Sequence, residues 1–109
     1  MITVVIVEDE YRTREGVGKL IEKLDLGFSV AGMAENGYDG LKLIQAAEPD
    51  LVITDIQMPK MDGYKATKEI RSLKDNARAC IPIVAMTANA FEEDKKKAFD
   101  AGMDGHIAK

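Results

Sequence analysis

The sequence predicts an α/β fold: an open, doubly wound, five-stranded parallel sheet with helices on both faces. Three observations lead there. Short apolar runs bounded by turn residues recur five times, longer segments of helical period lie between them, and the two kinds alternate strictly. Strict alternation calls for right-handed crossovers that cover both faces of the sheet. Such a sheet places its binding crevice at the carboxyl ends of its strands.

The elements follow in chain order. ITVVIV from Ile2 is a continuous apolar run of the kind that parallel strands buried on both faces require. Val17, Leu20, Ile21 and Leu24 then recur with the i, i+3, i+4, i+7 spacing of one helix face, and Gly27 can end that helix. FSVAGM from Phe28 supplies the second strand. Asn36-Gly37 can open a second helix, with Leu41 and Ile44 on its apolar face and Pro49 as its stop. DLVITD from Asp50 is the third strand, and Ala66, Ile70 and Leu73 mark a third helix. IPIVAM from Ile81 is the fourth strand, which Pro82 confines to starting there. Ala88 to Asp100 reads as a fourth helix, with Gly102 as a left-handed stop, and GHIA before Lys109 closes the series as a fifth strand.

Composition bounds what this framework can do. The chain of 109 residues fits one domain, spanning 1–109, with a single apolar core. Its 46% hydrophobic and 31% charged residues are ordinary for a globular protein, and no low-complexity tract argues for disorder. A net charge of -4 lacks the phosphate attraction that nucleic-acid modules need, so direct nucleic-acid binding is not expected. The first apolar run is too short to span a membrane, and the lone Cys80 cannot form an internal disulfide. A cytoplasmic setting without membrane association is therefore expected, with Cys80 as a small packing residue at a strand entrance.

The strand ends hold the chemistry. Glu8-Asp9-Glu10 follows the first strand and Asp55 ends the third. If those strands are neighbours, Glu8, Asp9 and Asp55 share one crevice, where three carboxylates repel one another unless a cation sits among them. Mg²⁺ suits such a site, because it takes a few carboxylates and keeps positions open for phosphate oxygens. Acidic residues after a strand also serve as helix N-caps, and Glu10 is read that way. Thr87 follows the fourth strand and Lys109 the fifth. A hydroxyl and an ammonium beside such a cluster complement the outer oxygens of a phosphoryl group.

The set VEDE, TDIQMPKMDG, AMTANA and GHIAK, in this order and spacing, resembles the receiver domain of two-component response regulators over the whole chain. The front half, through MPKMDG, is similar to receivers of transcriptional regulators. The stretch from Ile81 onward is similar to receivers of hybrid sensor kinases. The resemblance implies the flavodoxin-like strand order 2-1-3-4-5. It makes Asp55 the phosphoacceptor, with Glu8 and Asp9 holding Mg²⁺ and the backbone carbonyl of Gln57 supplying a further ligand. Thr87 takes the place of the switch hydroxyl, Lys109 that of the lysine pairing with the phosphoryl group, and His106 that of a switch aromatic. Gln57 and Asn89 would tune the lifetime of the acyl phosphate, while Pro59 and Gly63 would shape the site loop. The implied donor is a phosphohistidine on a sensor histidine kinase or phosphotransfer protein, and the chain would catalyse its own phosphorylation and dephosphorylation without turning over a separate substrate.

Receivers of this kind continue from the lysine into a proline and a fifth helix, which are absent from this sequence. A C-terminally shortened domain is thus expected to expose apolar surface on its first, fourth and fifth strands. Homodimerisation or a domain swap through that face is one way to cover it. A competing reading is a receiver fragment that works by binding or self-association without efficient phosphotransfer. A phosphatase of the haloacid-dehalogenase type wants a second Asp two residues after its nucleophile, where this chain has Gln57. Tyr11, Tyr38 and Tyr64, each near a helix start, are expected to be half-buried covers.

Overall fold

The computed structural model describes residues 2–24, 27–56, 61–73, 79–87 and 92–108. Strands and helices alternate: β1 (Ile2–Val7), α1 (Tyr11–Leu24), β2 (Phe28–Ala34), α2 (Gly37–Ala47), β3 (Leu51–Asp55), α3 (Gly63–Arg71), β4 (Ile83–Thr87), α4 (Glu92–Ala101) and β5 (Gly105–Ala108). The strands form one sheet in the order β2-β1-β3-β4-β5, parallel at every pairing.

Because successive strand residues point to opposite faces, the β1 run divides between two cores. Val5 and Val7 join Ile44, Val52, Ile70, Ile83, Ala98 and Met103 on the face covered by α2, α3 and α4. Val4 and Ile6 join Ile53 and Met86 on the other face, against Val17 and Ile21 of α1. Val4, Val5 and Ile6 are each 0% exposed, and each such side chain contributes about 1.5–3 kcal/mol of burial. That double burial is what a β-branched run without polar alternation encodes.

Several expectations need correction. Only half of the α1 stripe meets the sheet: Val17 and Ile21 pack, while Leu20 and Leu24 are 57% and 53% exposed. The fourth strand is covered at Met86 and the first at Val4 and Ile6, each at most 2% exposed, but Ile2 at the start of β1 is 43% exposed on that same face. The apolar exposure on that side thus falls on Ile2 of β1, on Leu20 and Leu24 of α1, and on Ile107 of β5, whose pairing with Met86 puts it on the same face. Cys80 is exposed and packs no core. Tyr11 is mostly out in solvent at 65% exposed, whereas Tyr38, at 48% exposed, is half-buried as expected and Tyr64 packs against the core as a partly buried cover. The second helix stops before Pro49, at Glu48 in the left-handed region, while Gly102 takes the left-handed conformation read from the sequence.

Candidate functional site

The site grows out of the adjacency of β1 and β3. Val7 pairs with Thr54, so the next residues, Glu8 and Asp55, leave the sheet side by side at its carboxyl edge. Glu8 continues the ladder, its N–H donating to the Ala34 carbonyl at 2.9 Å, and the Arg14 guanidinium of α1 donates to the Glu8 carbonyl at 2.7 Å. The backbone that carries the acidic run is thereby held from β2 and from α1 together.

Each of Glu8, Asp9 and Asp55 offers a carboxylate oxygen, and these oxygens lie within 4.8 Å of one another. Glu8 is fully buried and Asp55 is 6% exposed, while Asp9 faces solvent. Like charges at such distances repel by a few kcal/mol in a partly buried setting, and a cation held among them would relieve that repulsion. All three donors are hard oxygens, with an open side at Asp9, and this set fits Mg²⁺ better than a soft transition metal. Glu10, read as a helix-start residue, stands apart from the three: its carbonyl accepts from Arg14 N and its carboxylate from the Thr13 hydroxyl.

Asp55 is oriented by its own neighbour. The Ile56 N–H donates to Asp55 Oδ1 at 2.8 Å, which fixes the carboxylate plane at the end of β3. Gly63 closes the loop that follows: its N–H donates to the Ile56 carbonyl at 2.8 Å, and a Cβ there would lie 2.3 Å from the Asp55 carbonyl oxygen. No side chain fits at that approach. Asp62 caps α3, accepting from Lys65 N at 2.8 Å, a role that sequence reasoning missed although an Asp just ahead of a helical run signals it.

The remaining expected residues divide in two. The backbone of Thr87 ends β4, one residue beyond the Met86 that pairs with Asp55, and Thr87 pairs in turn with Ala108, the residue before Lys109. The side chain of Thr87, and all of Gln57, Pro59, Asn89 and Lys109, lie outside the described residues. His106 is exposed on β5, pairing with Ala85 and bordering a groove with Lys95, Phe99 and Met103 of the α4 side.

An open parallel sheet whose first and third strands deliver an acidic triad to its carboxyl edge offers a set of ligands that could hold a metal ion. The response regulator receiver domain family matches residues 4–109, and the chain belongs to that family. The chemotaxis protein CheY of Halobacterium salinarum is 37% identical over 106 residues, covering 97% of this chain and 82% of that protein. Hybrid signal transduction histidine kinase K of Dictyostelium discoideum is 36% identical over 99% of this chain, which spans only 9% of the kinase. Among solved structures, a two-component response regulator of the LuxR family from Aurantimonas superposes with a TM-score of 0.90 at 28% identity, over 100% of this chain and 74% of that one. Chemotaxis protein CheY4 of Vibrio cholerae superposes with a TM-score of 0.88 at 28% identity, over 100% and 87%. Relatives thus include both free-standing receivers and receivers within kinases. Among the described residues no helix is long and apolar enough to cross a membrane.

Proposed function

We propose that residues 1–109 act as a receiver domain in the cytoplasm, accepting a phosphoryl group onto Asp55 from a phosphohistidine of a sensor kinase or phosphotransfer protein. The observation that carries this reading is the meeting of Glu8, Asp9 and Asp55 within 4.8 Å at adjacent strand ends. These residues would hold Mg²⁺, which when bound supplies positive charge against the phosphoryl oxygens. Asp55 acts as the in-line nucleophile: a carboxylate oxygen forms the new bond to phosphorus as the phosphorus–nitrogen bond breaks, and the donor imidazole leaves with that electron pair. Little covalent chemistry is asked of the protein, so rate comes from holding Asp55 in place, which the Ile56 N–H and the Gly63 turn do. Lys109 would pair with the transferred group and Thr87 would hydrogen-bond to it. A new dianion on Asp55 then alters the face formed by α4 and β5, where His106 is exposed.

Incubation with Mg²⁺ and acetyl phosphate, followed by intact mass, tests the reading. The wild-type chain is expected to gain one phosphoryl group, and Asp55→Asn to gain none. No adduct on the wild type would overturn phosphotransfer and favour a module that works by binding alone, and an adduct that survives Asp55→Asn would overturn Asp55 as the acceptor.

A further inference from the structure

We infer that Gly37, on a helix that supplies no carboxylate to the acidic cluster, is a positioning residue for the loop that follows the phosphoacceptor. The inference rests on the Mg²⁺-dependent reading of Asp55 given above. Gly37 N–H donates to the Met61 carbonyl at 2.9 Å. A Cβ at position 37 would sit 2.1 Å from that oxygen and 2.8 Å from its carbon. The obstacle is backbone, not the tip of a flexible side chain, so relief requires moving the loop itself.

Both ends of that loop are therefore fixed by glycine contacts. Gly63 holds Ile56, whose N–H orients the Asp55 carboxylate, and Gly37 holds Met61. The α2 end of the second contact is itself rigid. Asn36 is 2% exposed, its Oδ1 accepting from Asp39 N at 2.8 Å and its Nδ2 donating to Asp39 Oδ2 at 2.9 Å. One turn further on, Gly40 lies so close to β1 that a Cβ there would be 2.8 Å from a Val7 methyl. The Asn36 cap thus fixes the Gly37 end of α2 that meets Met61, while the Gly40 contact is with the core side chain of Val7. Met61 lies two residues before Gly63, whose N–H holds the Ile56 carbonyl, so a displaced Met61 would disturb Ile56 through that contact and alter how Asp55 faces the other two carboxylates.

Gly40 supplies a matched control, because its added Cβ presses on the core and not on the loop. Mg²⁺ affinity is measured by amide NMR on the wild type, Gly37→Ala and Gly40→Ala, with the melting temperature of each recorded without metal. Gly37→Ala is expected to weaken Mg²⁺ by about tenfold or more, as loss of an outer-shell support does. Gly40→Ala is expected to lower the melting temperature yet keep the wild-type affinity. A folded Gly37→Ala with unchanged affinity overturns the inference, and so does an equal loss in Gly40→Ala. If Gly37→Ala does not fold, the wild type decides: the Gly37 amide must shift along the same Mg²⁺ curve as Asp9 and Asp55. A stationary Gly37 amide while those two move overturns the inference alone. No response at Asp9 or Asp55 overturns the Mg²⁺ reading and the inference with it.

Discussion

Asp50 stands at the mouth of β3, at the end of the sheet away from the acidic cluster, and clasps Thr3 from both sides. Its Oδ2 accepts from Thr3 N at 2.9 Å and from the Thr3 hydroxyl at 3.1 Å, while its own N–H donates to the Thr3 carbonyl at 2.9 Å. The Thr3 backbone N–H first, and its hydroxyl second, hold the Asp50 carboxyl below the usual range for aspartate. A folded pKa depressed below the unfolded value, about 3.9, gives stability that is complete above that value and lost as pH falls through the folded one. Asp50→Asn is therefore expected to lower the melting temperature at neutral pH, with the gap to wild type closing below roughly pH 4. Calorimetry on both chains from neutral to acid pH checks this. A gap that stays constant would show that the charge contributes nothing beyond shape. The same clasp fixes the start of β3 against β1, on which the register that delivers Glu8 and Asp55 depends.

The ends of α2 show why some element boundaries were legible and others not. Asn36 announced the start, because a short polar side chain that satisfies a free N–H is written in the residue type. The end was not written in that way. Glu48 takes φ 49° and ψ 57°, and its N–H donates to the Ile44 carbonyl, so the helix closes through a left-handed residue that carries a Cβ. Sequence pointed to Pro49 as the stop, and α2 does end just ahead of it, but the residue that makes the turn is Glu48. Left-handed backbone costs a non-glycine residue roughly 1–2 kcal/mol, part of which returns as the larger unfolded-state entropy of glycine when the site is changed. Glu48→Gly is thus expected to raise stability by about 0.5–1 kcal/mol, seen as a rise of about 4 °C in melting temperature. No rise would mean that contacts of the Glu48 side chain offset the strain. In α1 the limit is different. A helical period gives the width of an apolar stripe but not which half meets the sheet, and here Val17 and Ile21 won over Leu20 and Leu24.

At the scale of the whole molecule, the sheet separates two jobs between its two ends. The acidic triad was legible because β-α alternation fixes which edge carries chemistry, though the neighbouring of β1 and β3 came from family resemblance and not from spacing. The opposite edge held nothing that a motif could reveal, since its organiser, Arg71, works through backbone carbonyls distant in sequence. Its guanidinium donates to the Gly102, Ala79 and Ile81 carbonyls at 2.7–2.9 Å and pairs with Asp104 at 2.8 Å. Asp104 accepts in turn from Ile83 N, so one side chain joins the end of α3 to the starts of β4 and β5. The ion pair alone is worth little, because Arg71 and Asp104 are 24% and 56% exposed and solvent screens them. The carbonyl bonds matter more, and losing them together costs about 2–3 kcal/mol. Arg71→Met is expected to lose that stability in urea, and Arg71→Lys to recover little, since an ammonium cannot reach several carbonyls from a fixed fork. Both variants are expected to keep wild-type Mg²⁺ affinity, because the clamp holds the amino ends of β4 and β5 while the triad sits at the carboxyl ends of β1 and β3. Urea unfolding and a Mg²⁺ titration on the same samples check the two halves of this statement. Weakened Mg²⁺ binding in a folded Arg71 variant would mean that the two edges are coupled, and that α3, which runs from the loop after Asp55 to Arg71, carries the coupling.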